Sequence, residues 1–204
     1  MSEAVKFRHV VSIAGLVREP PAPEAEIGVN GNGAQKVNPP RRIANALVEI
    51  IIDEAPAAFR LMVDVGKLDP AWHQRRERID RTWSHADGIF YFLNLPAGEA
   101  HERYRLRVRV PGMGTRYGTA ETDPLRVQAN PAGQPVQVTW TEVELMPTRV
   151  RGKVTGAGDD LPIAGAKVQL RGDTRFELTA ENGGYQLAPL VAGRPTLHVS
   201  ADGY

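Results

Sequence analysis

The chain has 204 residues, enough for one large domain or two small ones, and its 25 basic against 24 acidic side chains give a net charge of +1. Charge so nearly balanced argues against wholesale electrostatic capture of nucleic acid and against an acidic, disordered solubiliser. Cysteine is absent, which rules out a disulfide framework and a thiolate metal site.

Met1-Ser2-Glu3-Ala4-Val5-Lys6 lacks the basic start and long apolar core of a secretory signal, and no run of about 18 apolar residues occurs. The expectation is a cytoplasmic protein without a membrane span, whose release within a particle would need another route. Residues 9–17 read as a first strand, with Val11, Ile13 and Gly15 on one face. Residues 18–42, which include Pro20-Pro21-Ala22-Pro23 and Gly31-Asn32-Gly33, read as a long surface loop, stiff at the proline end and flexible at the glycine end. Residues 45–52, rich in β-branched side chains, form a second strand.

Residues 53–80 form a second insertion. Within it Phe59-Arg60-Leu61-Met62-Val63-Asp64-Val65 can form a strand, and residues 70–79 a short helix with Pro70 near its first turn and Asp69 as its cap. Residues 81–85 are expected to pair with 89–93 across an Asp87-Gly88 turn. The cleanest alternation follows at 103–110: Tyr104, Leu106, Val108 and Val110 share one face, and Arg103, Arg105, Arg107 and Arg109 the other. Further strands are expected around Leu125-Arg126-Val127 and over 136–145, where a change of apolar phase after Trp140 suggests a bulge.

The chain then starts again. Asp87-Gly88-Ile89-Phe90-Tyr91-Phe92-Leu93-Asn94-Leu95-Pro96-Ala97-Gly98 recurs without a gap as Asn182-Gly183-Gly184-Tyr185-Gln186-Leu187-Ala188-Pro189-Leu190-Val191-Ala192-Gly193. Residues 150–154 echo 13–17, 165–170 echo 45–50, 176–179 echo 81–84, and 196–204 echo 105–113. Five blocks in one order make an internal repeat, and short strands separated by turn residues at this spacing are the pattern of a β-sandwich.

Arg151-Gly152-Lys153-Val154, Leu161-Pro162-Ile163-Ala164-Gly165-Ala166-Lys167-Val168-Gln169-Leu170, Gly184-Tyr185-Gln186-Leu187, Val191-Ala192-Gly193 and Asp202-Gly203-Tyr204 resemble the carboxypeptidase regulatory-like domain. The resemblance implies an all-β protein of two tandem transthyretin-like, immunoglobulin-like sandwiches. Residues 1–147 would be a divergent copy with insertions at 18–42 and 53–80, and 148–204 a second copy, with a short join near Pro147-Thr148 that leaves little free motion. It also implies a non-catalytic role as a binding, adhesion or assembly module, by analogy of fold alone. The family pattern runs on past the Gly-Tyr corner, as the first copy does over 115–145. If the chain is complete, the second copy is expected to lack about two strands, leaving an edge at Leu197, Val199, Ala201 and Tyr204 for a protein partner or a second copy to complete; the weightier alternative is that the sequence is a fragment or that the second copy packs against the first.

The arginine stripe spaces like charges about 6.8 Å apart and could grip an anionic polymer. The weightier expectation is a solvated face paired with acids such as Glu142 and Glu144, since no aromatic interleaves the arginines. The basic run Arg75-Arg76-Glu77-Arg78 reads as a wet surface. His73 and Glu77 are four apart but no third ligand is evident, and Asp159, Asp160 and Asp173 lack calcium-loop spacing. No Gly-x-Ser-x-Gly turn, His-x-x-Glu or closely spaced histidine pair occurs, so no enzyme, metal or cofactor is expected. Trp83, Phe90, Phe92 and Tyr185 are assigned to packing. The leading expectation is a structural, assembly or docking module of a larger complex, such as a phage-tail-like contractile injection particle, with protein partners and neither membrane nor nucleic acid. The alternatives are a carbohydrate- or surface-polymer-binding module and a regulatory appendage of a separate enzyme.

Overall fold

A run of alternating apolar and polar side chains buries one face of each strand only if two sheets stack, and the chain solves this twice. The structure, a computed structural model, describes residues 9–21, 28–29, 35–36 (backbone only for these two pairs), 40–129 and 136–203. Contacts divide the chain into two units, 1–112 with 119–146, and 113–118 with 147–204.

The first unit contains β1 (Val11–Arg18), β2 (Gly28–Val29), β3 (Gln35–Lys36), β4 (Leu47–Ile50), β5 (Arg81–Trp83), β6 (Ile89–Leu93), β7 (Leu106–Arg109), β8 (Ala120–Glu121) and β9 (Thr139–Glu144). One sheet has the order β6-β1-β9 and the other β5-β4-β7-β8, while β2 and β3 pair as a small hairpin inside the first insertion. Pairing is antiparallel except between β1 and β9, which run parallel with Ile13 opposite Thr139 and Val17 opposite Val143. Ile13, Val17, Phe90, Phe92 and Val143 from one sheet and Val48, Leu106 and Val108 from the other are buried. Each such side chain stabilises the fold by roughly 1.5–3 kcal/mol through the area it removes from water. Gly15 makes room for this core, because a Cβ there would lie 2.6 Å from the Phe90 ring.

The second unit contains β10 (Val150–Lys153), β11 (Lys167–Leu170), β12 (Phe176–Leu178), β13 (Gly184–Leu187) and β14 (Leu197–Ser200), in sheets β10-β13 and β12-β11-β14. Val168, Leu187 and Leu190 form its centre, with Val150, Val154, Leu170, Tyr185 and Leu197 packed around them.

The same hydrogen bonds recur at repeat-equivalent positions. Val17 N–H donates to Gly88 C=O and Ile43 N–H to Val17 C=O, each at 2.9 Å; Val154 N–H donates to Gly183 C=O at 2.9 Å and Ile163 N–H to Val154 C=O at 3.0 Å. The buried Ser84 hydroxyl donates to Ile43 C=O (2.7 Å) and accepts from Ala46 N–H (2.9 Å). The buried Thr179 hydroxyl does the same with Ile163 (2.6 Å) and Ala166 (2.8 Å). Both turn glycines, Gly88 at φ +78° and Gly183 at φ +74°, sit where a Cβ would press on the carbonyl oxygen of Val17 or Val154. Left-handed backbone and close carbonyl approach together require glycine at these two positions.

Four expectations need correction. Residues 59–65 are helical: α1 (Ala57–Gly66) buries Phe59 and Val63, four residues apart on one helix face, and the Phe59 ring meets Tyr104 edge-on at 5.5 Å. The α1 amino end has no local side-chain cap; Glu102 Oε1, distant in sequence, accepts the Ala57 N–H at 3.0 Å. The helix expected over 70–79 shrinks to a single 3₁₀ turn at Trp72–Gln74, although Asp69 does accept the Ala71 N–H. Residues 81–85 and 89–93 do not form one hairpin ladder, because β5 joins β4 while β6 joins β1. Ser84 pins the end of β5 to residues 43–46, so the chain crosses between sheets at Asp87-Gly88. Finally, β9 keeps regular register with β1 and carries no bulge, the irregularity lying in β1 between Val11 and Ile13. The phase change after Trp140 arises because Val136, Val138 and Trp140 are exposed.

Around Leu125-Arg126-Val127 only a single bridge forms, between Leu125 and Tyr104. The expected loop 18–42 falls partly on residues 22–27, 30–34 and 37–39, outside the described residues, as do residues 1–8 and Tyr204.

Candidate functional site

The four arginines of the stripe are placed on or just before β7, and each is engaged locally. Arg105 meets Glu54 at 3.1 Å and Glu121 at 3.5 Å, Arg107 meets Glu121 at 2.9 Å, and Arg109 meets Glu49 at 3.2 Å. Arg103 precedes the strand and donates to the carbonyls of Ala100 and Glu102, both at 2.8 Å. The acids are not Glu142 and Glu144, which belong to β9 in the other sheet and hold Arg18, each at 2.9 Å. Strand neighbours Glu49 and Glu121 reach β7 because β4 and β8 flank it. A cleft of about 370 Å³ lies beside Arg105, lined by Glu54, Arg60, Glu102 and Arg103. The backbone N–H groups of Ala57 and Glu99 donate to the Glu102 carboxylate and hold its pKa below the usual range. The site therefore carries both signs of charge in balance.

Sequence-flagged metal and acid residues do not converge. His73 lies in the 3₁₀ turn with Glu77 outside any helix, so their four-residue spacing does not place them on a common face. Asp159 Oδ1 accepts the Leu161 N–H at 3.1 Å. Asp173 is bound by the Arg175 side chain and then its backbone N–H, which hold its carboxyl at about 2. Among the described residues no group of three or more His, Asp or Glu is positioned to hold a metal ion, and no helix is long and apolar enough to cross a membrane. Phe90 and Phe92 are core; Trp83 takes a cation–π contact from Arg76 at 4.9 Å, and the Tyr185 ring covers Gly152.

The second unit presents a different surface. Its strands β10, β13, β11, β12 and β14 stand where β1, β6, β4, β5 and β7 stand in the first, but among the described residues no sheet strand stands where β8 and β9 do. Residues 113–118 instead meet the approach to β10, where Tyr117 bridges Pro147 and Thr148 N–H donates to Arg116 C=O at 2.9 Å. The consequence is visible at matched positions. Leu106 and Val108 are buried, whereas Leu197 is partly exposed and Val199 is 44% exposed. Val199 faces inward, since it pairs with the fully buried Val168 and cross-strand partners share a face. Ala201 is half-buried just past β14. On β10 the outward side chains are Arg151 and Lys153, and Arg151 reaches Gln186 on β13. Sequence reasoning found the β14 residues but passed over β10, whose signal was two cations alternating with glycine between Val150 and Val154. A cleft of about 310 Å³ opens in the same unit, lined by Leu170, Leu187, Leu190 and Phe176 with Asp173 and Arg175.

Comparison with known proteins bears on this unit. Residues 149–204 match the carboxypeptidase regulatory-like domain. That regulatory-like domain thus coincides with β10–β14. No curated protein matches the chain. Among solved structures, a Streptococcal ancillary pilin superposes with a TM-score of 0.32 at 8% identity over 95% of this chain, which spans 59% of the pilin's length. The shaft pilin SpaA of Lactobacillus rhamnosus GG gives a TM-score of 0.30 at 10% identity, covering 95% of this chain and 75% of that one. The basal pilin SpaE of the same organism gives 0.30 at 12%, covering 95% and 73%. At these scores the likeness carries no argument about this chain.

Proposed function

We propose that the chain is a non-enzymatic assembly or docking module built from two tandem copies of one regulatory-like sandwich, the first divergent, the second with part of its apolar inner face uncovered among the described residues. The observation that carries this reading is the inward-facing Val199, 44% exposed where its counterpart Val108 is buried. Uncovered apolar interior beside an open strand edge is a surface for association. The matched hydrogen bonds of Ser84 and Thr179 support the tandem reading. The absence of cysteine suits assembly in a reducing compartment, as in a cytoplasmically built particle of the phage-tail-like contractile class.

A second reading, a surface-polymer-binding module, draws on the 310 Å³ cleft with exposed Phe176, a ring on which a sugar could stack. Sedimentation velocity across a concentration series, paired with thermal melts against a glycan panel, separates the two. Assembly expects concentration-dependent association and no glycan shift; a strict monomer whose melt rises with a glycan overturns it.

A further inference from the structure

The second unit leaves one edge of β12 open. Thr179 N–H donates to Ala166 C=O at 2.9 Å, which fixes the parity of the β12–β11 ladder. Glu177, two residues earlier, therefore turns its N–H and C=O toward β11, and Phe176 and Leu178 turn theirs to the free side. Among the described residues no hydrogen bond reaches the Phe176 N–H or C=O. At the matching place on β5, Arg81 exchanges its N–H and C=O with Arg78 at 3.2 and 3.0 Å, so a turn of the 53–80 insertion closes that edge. The shorter β11–β12 connection does not repeat this. Asp173, three residues before Phe176, sends its N–H to Leu170 C=O at 3.0 Å and accepts the Gln169 side chain on its own C=O. In the first unit the strands after β7 join β7 and β1, so the chain beyond that point leaves the β5 edge alone. On β12, Phe176 and Leu178 are 49% and 57% exposed on the outer face, while Glu177 points to the inner face opposite Val168.

We infer that β12 pairs antiparallel with β12 of a second copy of this chain, across a two-fold axis centred on Phe176. This deepens the assembly reading and rests on it. Charge selects both the occupant and the register. An inward-pointing carboxylate at an open edge disfavours an acidic or apolar strand beside it, so the matching strand carries a cation opposite Glu177. A two-fold centred on Phe176 supplies that cation from this chain itself. Arg175 of each copy then stands opposite Glu177 of the other, at the closely spaced positions that exchange no backbone bonds. Asp173 steadies the Arg175 guanidinium at 2.6 Å, and the remaining N–H donors of that group serve Glu177 across the axis. Phe176 exchanges N–H and C=O with its own copy, and the two rings meet on the outer face. A centre at Glu177 would oppose two carboxylates. A centre at Leu178 would run the ladder onto Ala180, whose N–H is already given to Gly184 C=O at 2.9 Å.

The test uses the whole chain, isotope-labelled. Two such short strands bury less than a stable complex does, so the series runs from about 10 μM to about 1 mM. Hydrogen exchange at the Phe176 amide should slow by about fivefold or more as the dimer forms, while the Glu177 amide, already bonded to β11, should not change. Glu177→Arg and Arg175→Glu should each weaken self-association by about tenfold, because two attractive pairs become repulsive. Mixing the two variants should restore association as a heterodimer, since every cation then faces an anion again, a recovery that general loss of structure cannot produce. A wild-type chain that associates with the Phe176 amide unprotected overturns the inference and leaves the assembly reading standing through another surface. Variants that keep the wild-type circular-dichroism spectrum yet do not recover on mixing overturn it as well. A wild-type chain that stays monomeric throughout the series overturns the pairing by itself; the assembly reading falls with it when that monomer also melts higher with a glycan.

Discussion

Replacing Thr179 by valine removes two buried hydrogen bonds with almost no change of shape. The hydroxyl is inside the second unit, donating to Ile163 C=O at 2.6 Å and accepting from Ala166 N–H at 2.8 Å, and Ala166 is itself fully buried. Valine leaves that N–H and that carbonyl without the partner, at about 1–3 kcal/mol for each stranded group. Partial relaxation brings the expected loss to about 2–4 kcal/mol, a large share of what so small a unit has in total. Serine in the same place loses only a methyl, roughly 1 kcal/mol or less, because Ser84 performs the same task in the first unit. Urea unfolding provides the assay. Trp72, Trp83 and Trp140 all belong to the first unit, so tryptophan fluorescence follows that unit while far-UV circular dichroism reports both. Thr179→Val should move the non-tryptophan transition down by about 2–4 M urea, at a slope near 1 kcal/mol per M. Thr179→Ser should move it far less. A valine variant no less stable than the serine variant would refute both the hydrogen-bond accounting and the equivalence of the two units.

Gly183→Ala combines a φ of +74° with a Cβ 2.5 Å from Val154 C=O and should destabilise the second unit by about 2–4 kcal/mol, whereas Gly203→Ala, at φ +86° in open space, should cost only about 1–2 kcal/mol; equal urea midpoints for the two variants would count against the close approach. Burial, then Glu102, pushes the Tyr104 phenol up. Its contribution is thus full below the unfolded value near ~10 and is lost as pH rises above it; the fluorescence-detected midpoint should fall there in the wild type and stay flatter in Tyr104→Phe. Asp173 is held at about 2 by Arg175, so its contribution is present above the unfolded value of ~3.9 and is lost as pH falls toward 2; Asp173→Asn should flatten circular-dichroism stability across that window. Because Arg105, Arg107 and Arg109 each already have a carboxylate, Arg105→Gln with Arg107→Gln should leave retention on heparin unchanged, and a clear loss of retention would reinstate the anionic-polymer site.

Much of the architecture was legible in the chain. The five repeated blocks fall on equivalent elements, and Gly88 with Gly183, and Asn45 (φ 56°) with Gly165 (φ 70°), take matching left-handed turns. The alternation at 104–110 buried the residues it was expected to bury. Local periodicity and turn chemistry act within a few residues, so they survive in a single sequence. Sheet membership does not, since the Asp87-Gly88 turn looks the same whether it closes a ladder or carries the chain between sheets; Ser84's bonds to residues 43 and 46 decide that. α1 was misread for a related reason: a segment with Phe59 and Val63 suits either state, and Tyr104 and Glu102, brought from β7's approach, favour the helix.

What the chain alone determined is therefore most of the strands and their turns. Only the tertiary structure decided which acids neutralise the arginines, which sheet each strand enters, and that Val199 stands bare where Val108 is covered. Burial and ion pairing are properties of neighbours distant in sequence, and a residue's own identity carries no record of whether those neighbours arrive.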